Sequence, residues 1–250
     1  MSLKTRLNAV ITAAVIAVTF AGTASAQMSQ FHPSFYGSTE LDTRSSQFYL
    51  LGMYVGVGGL GWSPYFNVNG YALHYRLDKD VPSSARTLSA ILPTLGLAYA
   101  ARTGGVSFGA GYAWVHNEDS GAPGAEGGGT DGVTASLGAY HSGRGPRALH
   151  TQLLSNYNFD SKYMWARGRA SVPFGTSRLH PTRIGAEVVG QDGGKDGVKS
   201  NSWQVGPTLE YTWTPQLRTT GAVGYKSVGG ERFASRENAV YFKLEFSFSP

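Results

Sequence analysis

The 250-residue chain contains no cysteine. This excludes a disulfide framework, a thiol nucleophile and a lipid-modified N-terminal Cys. Long apolar runs are also missing beyond residue 26. A membrane helix needs roughly 20 apolar residues, so any membrane fate must come through β-structure. Lys and Arg never cluster, although they outnumber Asp and Glu by 21 to 16. Nucleic acid is therefore not expected as a partner. No ordered set of metal ligands is present, and neither a metal nor a cofactor is expected.

The sequence does have a removable start. Lys4 and Arg6 precede an apolar stretch, Val10–Phe20, and the small residues Ala24-Ser25-Ala26 form a cleavage site. Residues 1–26 read as an export signal, with the mature protein starting at Gln27. The formal charge then falls from +5 to +3, because two cations leave and no acid goes with them. Residues 27–33 are expected to form a periplasmic lead-in, and residues 34–250 a single barrel domain.

Glycine is abundant, at 34 residues. The stretch from Val106 to His116 explains much of that abundance. Val106, Phe108, Ala110, Tyr112 and Trp114 occupy one parity; Ser107, Gly109, Gly111 and Ala113 occupy the other. A period of two marks a β-strand with one apolar face and one face of small groups. Similar segments recur through the chain. Twelve strands are expected, at 34–41, 47–57, 65–77, 88–101, 106–116, 132–142, 148–158, 163–172, 182–190, 202–213, 217–227 and 238–248, or ten if two merge. Pro93 predicts a bulge or local break in pairing.

The connections mostly alternate between tight turns, such as 103–105 and 214–216, and long glycine-rich stretches, such as 117–131, 191–201 and 229–237. Outer-membrane barrels have this pattern, with short periplasmic turns, long outside loops and an even number of strands. The expected fold is an all-β, closed, antiparallel up-and-down transmembrane barrel in the bacterial outer membrane. Apolar faces that end in Tyr75, Trp114, Tyr157 and Trp213 fit an interfacial girdle. A secreted β-sandwich is the alternative, but it would leave open sheet edges.

Charge in the later strands lies on the parity opposite the apolar one. A lipid-facing Arg near the midplane costs roughly 2–4 kcal/mol, so the charges are assigned to the lumen. The lumen list has seven cations (Arg76, Arg167, Arg169, Arg183, Arg218, Lys226 and Lys243) and three acids (Glu187, Glu210 and Glu245). Two readings follow. One is a narrow basic pore passing small anions or acidic saccharides. The other is a cross-strand ion-pair ladder that fills the barrel without permeation; twelve strands lie between filled and water-holding sizes. Expected partners are outer-membrane lipids including lipopolysaccharide, the outer-membrane assembly machinery, and an anionic solute or polysaccharide.

Other motifs are weaker. Gly56-Val57-Gly58-Gly59-Leu60-Gly61 matches a dinucleotide fingerprint literally, but Trp62-Ser63-Pro64 and a strand follow where a helix is required. A glycine turn is the better reading. Asp119, Glu126 and Asp131 lack calcium-loop spacing. No catalytic residue is assigned: the six histidines are scattered, and His74 and His150 read as inward, hydrogen-bonded structural groups. A lipid hydrolase at the rim is the third reading.

The signal, the alternation and the final strand (Val240, Phe242, Leu244, Phe246, Phe248) resemble small bacterial outer-membrane β-barrel proteins. Those proteins typically end in an aromatic; here Ser249-Pro250 follow. Residues 159–250, with Tyr163-Met164-Trp165-Ala166-Arg167-Gly168-Arg169 and Val205-Gly206-Pro207, also resemble the BcsS proteins encoded with bacterial cellulose synthases. That resemblance implies a role in exopolysaccharide export or surface anchoring.

Overall fold

In a computed structural model the described residues are 31–57, 59–76, 85–119, 131–143, 148–175, 180–193, 200–230 and 236–250. The expected export signal, residues 1–26, lies outside them. Twelve strands follow in chain order: β1 (Phe31–Asp42), β2 (Gln47–Val57), β3 (Gly61–Arg76), β4 (Ala85–Ala101), β5 (Gly104–Asp119), β6 (Gly132–Ser142), β7 (His150–Asn158), β8 (Tyr163–Phe174), β9 (Thr182–Gly193), β10 (Ser200–Thr212), β11 (Leu217–Gly230) and β12 (Glu237–Phe248). Each pairs antiparallel with its sequence neighbours, and β1 closes on β12. No helix among the described residues is long and apolar enough to cross a membrane; the strands carry the chain instead.

The first strand begins earlier than its pattern predicts. Phe31, His32 and Pro33 already pair with Val57, Gly56 and Val55, so part of the expected lead-in is β1. The seam is continued past the last strand: the Ser249 amide donates to the Gln216 carbonyl at 3.0 Å, and its hydroxyl lies 2.8 Å from that of Ser34. The Ser-Pro extension therefore ties the end of β12 to its neighbours.

Tight connections (residues 58–60, 102–103 and 213–216) lie at the end where β1 starts and β12 stops; the longest, 77–84 and 120–131, lie at the other, together with the short connections 43–46 and 159–162. By the rule for this class, the end where β1 starts is the periplasmic one. The glycine motif of residues 56–61 is the β2–β3 turn. Gly59 and Gly61 have φ of +133° and +99°, values that L side chains rarely adopt, which is why the turn is glycine-rich.

The outside is an apolar band. Leu95, Ile91, Phe242 and Leu244 are each more than half exposed, the reverse of a soluble fold. Aromatics flank the band at both rims. Tyr112–Trp114, Tyr157–Phe159 and Trp203–Tyr225 form the outer girdle; Trp62–Tyr99, Trp62–Phe108 and Tyr211–Trp213 form the periplasmic one.

Pro93 breaks pairing without a bulge. It remains paired with Val68 of β3. On the β5 side the ladder runs from Ile91↔Trp114 to Thr94↔Gly111 in unchanged register. Pro207 does the same between Val205↔Tyr225 and Thr208↔Ala222. A missing N–H removes a bond, but no residue is inserted.

One face assignment is reversed. Register with β2 places Tyr65, Asn67, Asn69, Tyr71 and Leu73 beside Gly56, Tyr54, Gly52, Leu50 and Phe48. The Tyr36 hydroxyl of β1 reaches Asn67 and Asn69, so this parity faces inward. Tyr75 belongs to it and not to the girdle. Trp62 and Phe66 face lipid, on the parity that His74 shares. The cause is that β2–β4 carry apolar residues on both faces, so alternation cannot separate the two.

Candidate functional site: the barrel interior

The interior is crossed by side chains from opposite walls. Arg167 of β8 donates to Glu245 of β12 at 2.6 Å and to Gln152 of β7 at 2.8 Å. Arg169 reaches both Glu187 and Glu245 at 2.7 Å. Lys243 completes the group with an ion pair to Glu187 and a 3.5 Å approach to Glu245. The Tyr241 hydroxyl lies 3.4 Å from Glu187. Arg167–Glu245 spans four strand steps around the wall, so the pair passes over β9–β11, where Gly185, Gly206 and Gly224 lie.

Two further groups sit towards the mouths. Near the outer mouth, Lys226 contacts Glu40 at 2.8 Å and Asp42 at 3.2 Å, and Gln204 donates to Glu40 at 3.0 Å. Arg44, in the β1–β2 turn, pairs with Glu237. Near the periplasmic mouth, Arg183 holds Glu210 at 2.6 Å. Across these pairs, six cations (Arg44, Arg167, Arg169, Arg183, Lys226, Lys243) meet six acids (Glu40, Asp42, Glu187, Glu210, Glu237, Glu245).

The structure thus brings together Arg167, Arg169, Glu187, Lys243 and Glu245, and separately Arg183 with Glu210. Lys226 joins β1 and not these groups. Arg218 is exposed, on the parity that includes Thr220 and Lys226. Arg76 ends β3, paired with Ala85. Its backbone falls on the parity of Trp62 and Phe66, not the inward one; its side chain lies outside the described residues.

Sequence reasoning missed Glu40, Asp42, Arg44 and Glu237. The signal was available: Ser34, Tyr36, Ser38, Glu40 and Asp42 form one polar parity. Closure of β1 onto β12 sets Glu40 opposite Lys243, and neighbours of that kind are invisible in a linear reading.

The opposite wall is bare backbone covered by tyrosine. The inward positions of β5 are Ser107, Gly109, Gly111 and Ala113, as the alternation predicts. A Cβ on Gly96 or Gly109 would run into Tyr65, and one on Gly52 into Tyr36. Gly105 likewise accommodates Tyr140; on the charged side, Gly206 and Gly224 accommodate Tyr241. The glycines let phenol rings lie flat along the wall. Tyr54 stacks on Tyr65 at 5.2 Å between ring centroids.

His74 and His150 both have hydrogen-bonding partners. His74 Nδ1 lies 3.1 Å from the Thr87 hydroxyl. His150 Nδ1 lies 3.0 Å from the Ser142 hydroxyl, a contact made by the β6–β7 register, which pairs Ser142 with His150. Asp131 accepts a hydrogen bond from the Val115 amide at 2.8 Å; Glu126 lies outside the described residues. No cluster of three metal-ligating side chains occurs among the described residues.

No family model matches the sequence, and no curated protein matches it. The likeness of residues 159–250 to the BcsS proteins gains no support from these comparisons. Solved structures do match. The β-domain of the Bordetella autotransporter BrkA aligns with a TM-score of 0.53 at 10% identity, over 88% of this chain and 100% of that one. LpxR from Salmonella typhimurium aligns at 0.51 and 10% identity, over 86% and 99%. The KdgM porin aligns at 0.43 and 9% identity, over 87% and 99%. At such identities the likeness is one of fold. With twelve closed antiparallel strands, the lipid-facing band and the first two of these neighbours, the chain has the fold of a bacterial outer-membrane β-barrel.

Proposed function

We propose that the protein is a narrow outer-membrane passage for small polar solutes of low net charge. The reading rests on the pairing of charge across the interior. The Arg167 and Glu245 side chains each keep 14% of their surface exposed, so the cross-brace does not fill the interior completely. Tyr36, Asn67, Asn69 and Gln152 are likewise only half-buried. Packing is tighter on the β9–β12 side, where Glu187 and Tyr241 are fully buried. Partly open inward positions on β1–β3 and β7–β8, set against a packed wall, suit a small solute better than a bulk pore.

Pairing also removes the charge surplus that an anion pore would need. Acids from β1 and β12 join those counted from sequence, leaving Arg218 at the mouth as the surplus cation among the described inward positions. A non-catalytic role belongs to this reading, as do lipopolysaccharide as the surrounding lipid and the assembly machinery as a transient partner. The purified protein in a planar bilayer should give small unitary currents with a reversal potential near zero in a salt gradient. Strong anion preference would restore the basic-pore reading.

The buried core of the ladder favours a second reading, a non-conducting structural barrel. Ion pairs that brace the wall without passing anything would give no unitary currents. The Ser142–His150 contact is where a hydrolase reading would begin, but among the described residues no acid hydrogen-bonds that imidazole.

A further inference from the structure

The interior face of β1–β3 carries chemistry that solute passage alone does not demand. The Tyr36 hydroxyl lies 2.8 Å from the Asn67 side-chain amide and 2.5 Å from that of Asn69; with a single proton it donates to the oxygen of one amide and accepts an N–H from the other. Both amides are thereby held in fixed rotamers. No other group among the described residues hydrogen-bonds either amide, and both residues are half-buried. One amide therefore keeps two N–H donors for the lumen, and the other keeps one N–H and its carbonyl oxygen.

Beside the amides lies a layered platform. Glycines 96 and 109 form the floor, Tyr65 lies on them, and Tyr54 stacks on Tyr65 with 24° between the ring planes. Tyr65 is buried at 7% exposure, while Tyr54 is half-buried. The open face is therefore that of Tyr54. Tyr54 and Asn67 are register partners, which sets a flat aromatic surface next to hydrogen-bond donors.

We propose that this face binds pyranose sugars without net charge, the inference resting on the passage reading for access to the lumen. A pyranose has an apolar C–H face that packs on an aromatic ring, and a rim of hydroxyls that need both donors and acceptors. Tyr54 supplies the ring surface. Asn67 and Asn69 supply neutral donors and an acceptor. A carboxylate-bearing sugar gains no advantage, because Arg167 is already committed to Glu245 at 2.6 Å.

The experiment is titration of the detergent-solubilised protein with cellobiose by saturation-transfer NMR and intrinsic fluorescence. Sorbitol is the acyclic control, having hydroxyls but no ring face, and galacturonate the charged one. Cellobiose should show saturable binding with ring protons in contact, and sorbitol and galacturonate should not. Tyr54→Leu keeps bulk and loses the π-face, and should weaken cellobiose binding by roughly 3- to 10-fold, the size of an aromatic contact. Asn67→Ala with Asn69→Ala should weaken it further; heat-modifiable migration checks that each variant is folded.

Binding of sorbitol equal to that of cellobiose, or a Tyr54→Leu variant that binds as well as wild type, would overturn the proposal. Bilayer recordings separate its fate from that of the passage reading. Unitary currents without any cellobiose binding would sustain passage and refute the sugar site. Saturable binding in a protein that passes no current would sustain the site and refute passage.

Discussion

Glu245 lies within reach of three cations: Arg167 and Arg169 at 2.6 and 2.7 Å, and Lys243 at 3.5 Å. Only Glu187 shares the load, through Arg169 and Lys243. Removing one partner of a buried pair leaves the other uncompensated, at a cost of about 3–5 kcal/mol. Glu245→Gln should therefore lower unfolding stability by several kcal/mol in a denaturant titration. The same change frees positive charge in the lumen, so the reversal potential should move towards anion preference. A variant that loses stability with no shift in reversal potential would mean that ions do not pass this cluster. His150 Nδ1 lies 3.0 Å from the Ser142 hydroxyl, a contact that is structural on the non-catalytic reading. His150→Gln should leave lipid A and phospholipid composition unchanged in whole cells, as read by mass spectrometry.

At the scale of elements, the glycine-lined inner face of β5 depends on the tyrosine that covers it. A Cβ at Gly109 would meet the Tyr65 hydroxyl, a Thr94 methyl and the Leu95 carbonyl; one at Gly168, on the lipid side of β8, meets nothing within 4 Å. Gly109→Ala should destabilise by about 1–3 kcal/mol through overpacking. Gly168→Ala should stay within about 0.5 kcal/mol. Unfolding of the two variants in parallel checks this. The outward and inward faces of β5 were legible from sequence because its two parities differ sharply in size. The same holds for β8–β12, where charge marks one parity. In β2–β4 it fails: Phe48, Leu50, Leu73 and Leu88 point inward beside Tyr71, while Trp62 and Phe66 point outward. Only pairing register separates such faces. The acids of β1 escaped for a related reason, since their partners lie on strands at the far end of the chain.

For the whole molecule, the exposed apolar band and closed hydrogen bonding predict detergent-dependent solubility. The folded barrel should migrate faster than the boiled chain on a cold detergent gel, and cell fractionation should find it with outer membranes. Monodisperse recovery in buffer without detergent would contradict the fold. Closure carries a consequence for the order in which the structure can arise. Phe35 lies opposite Phe248, so the first strand cannot be satisfied until the last has arrived. Ribosome and export machinery deliver the amino end first. Until the carboxyl end follows, β1 is an unpaired edge with a lipid-facing side already formed. The chain must therefore be held unfolded, or have its open edge covered by another strand, throughout its crossing of the periplasm. A version ending at residue 236, without β12, has no route to closure. It should be degraded before it reaches the membrane, and a pulse-chase comparison with the full chain would show its half-life collapse.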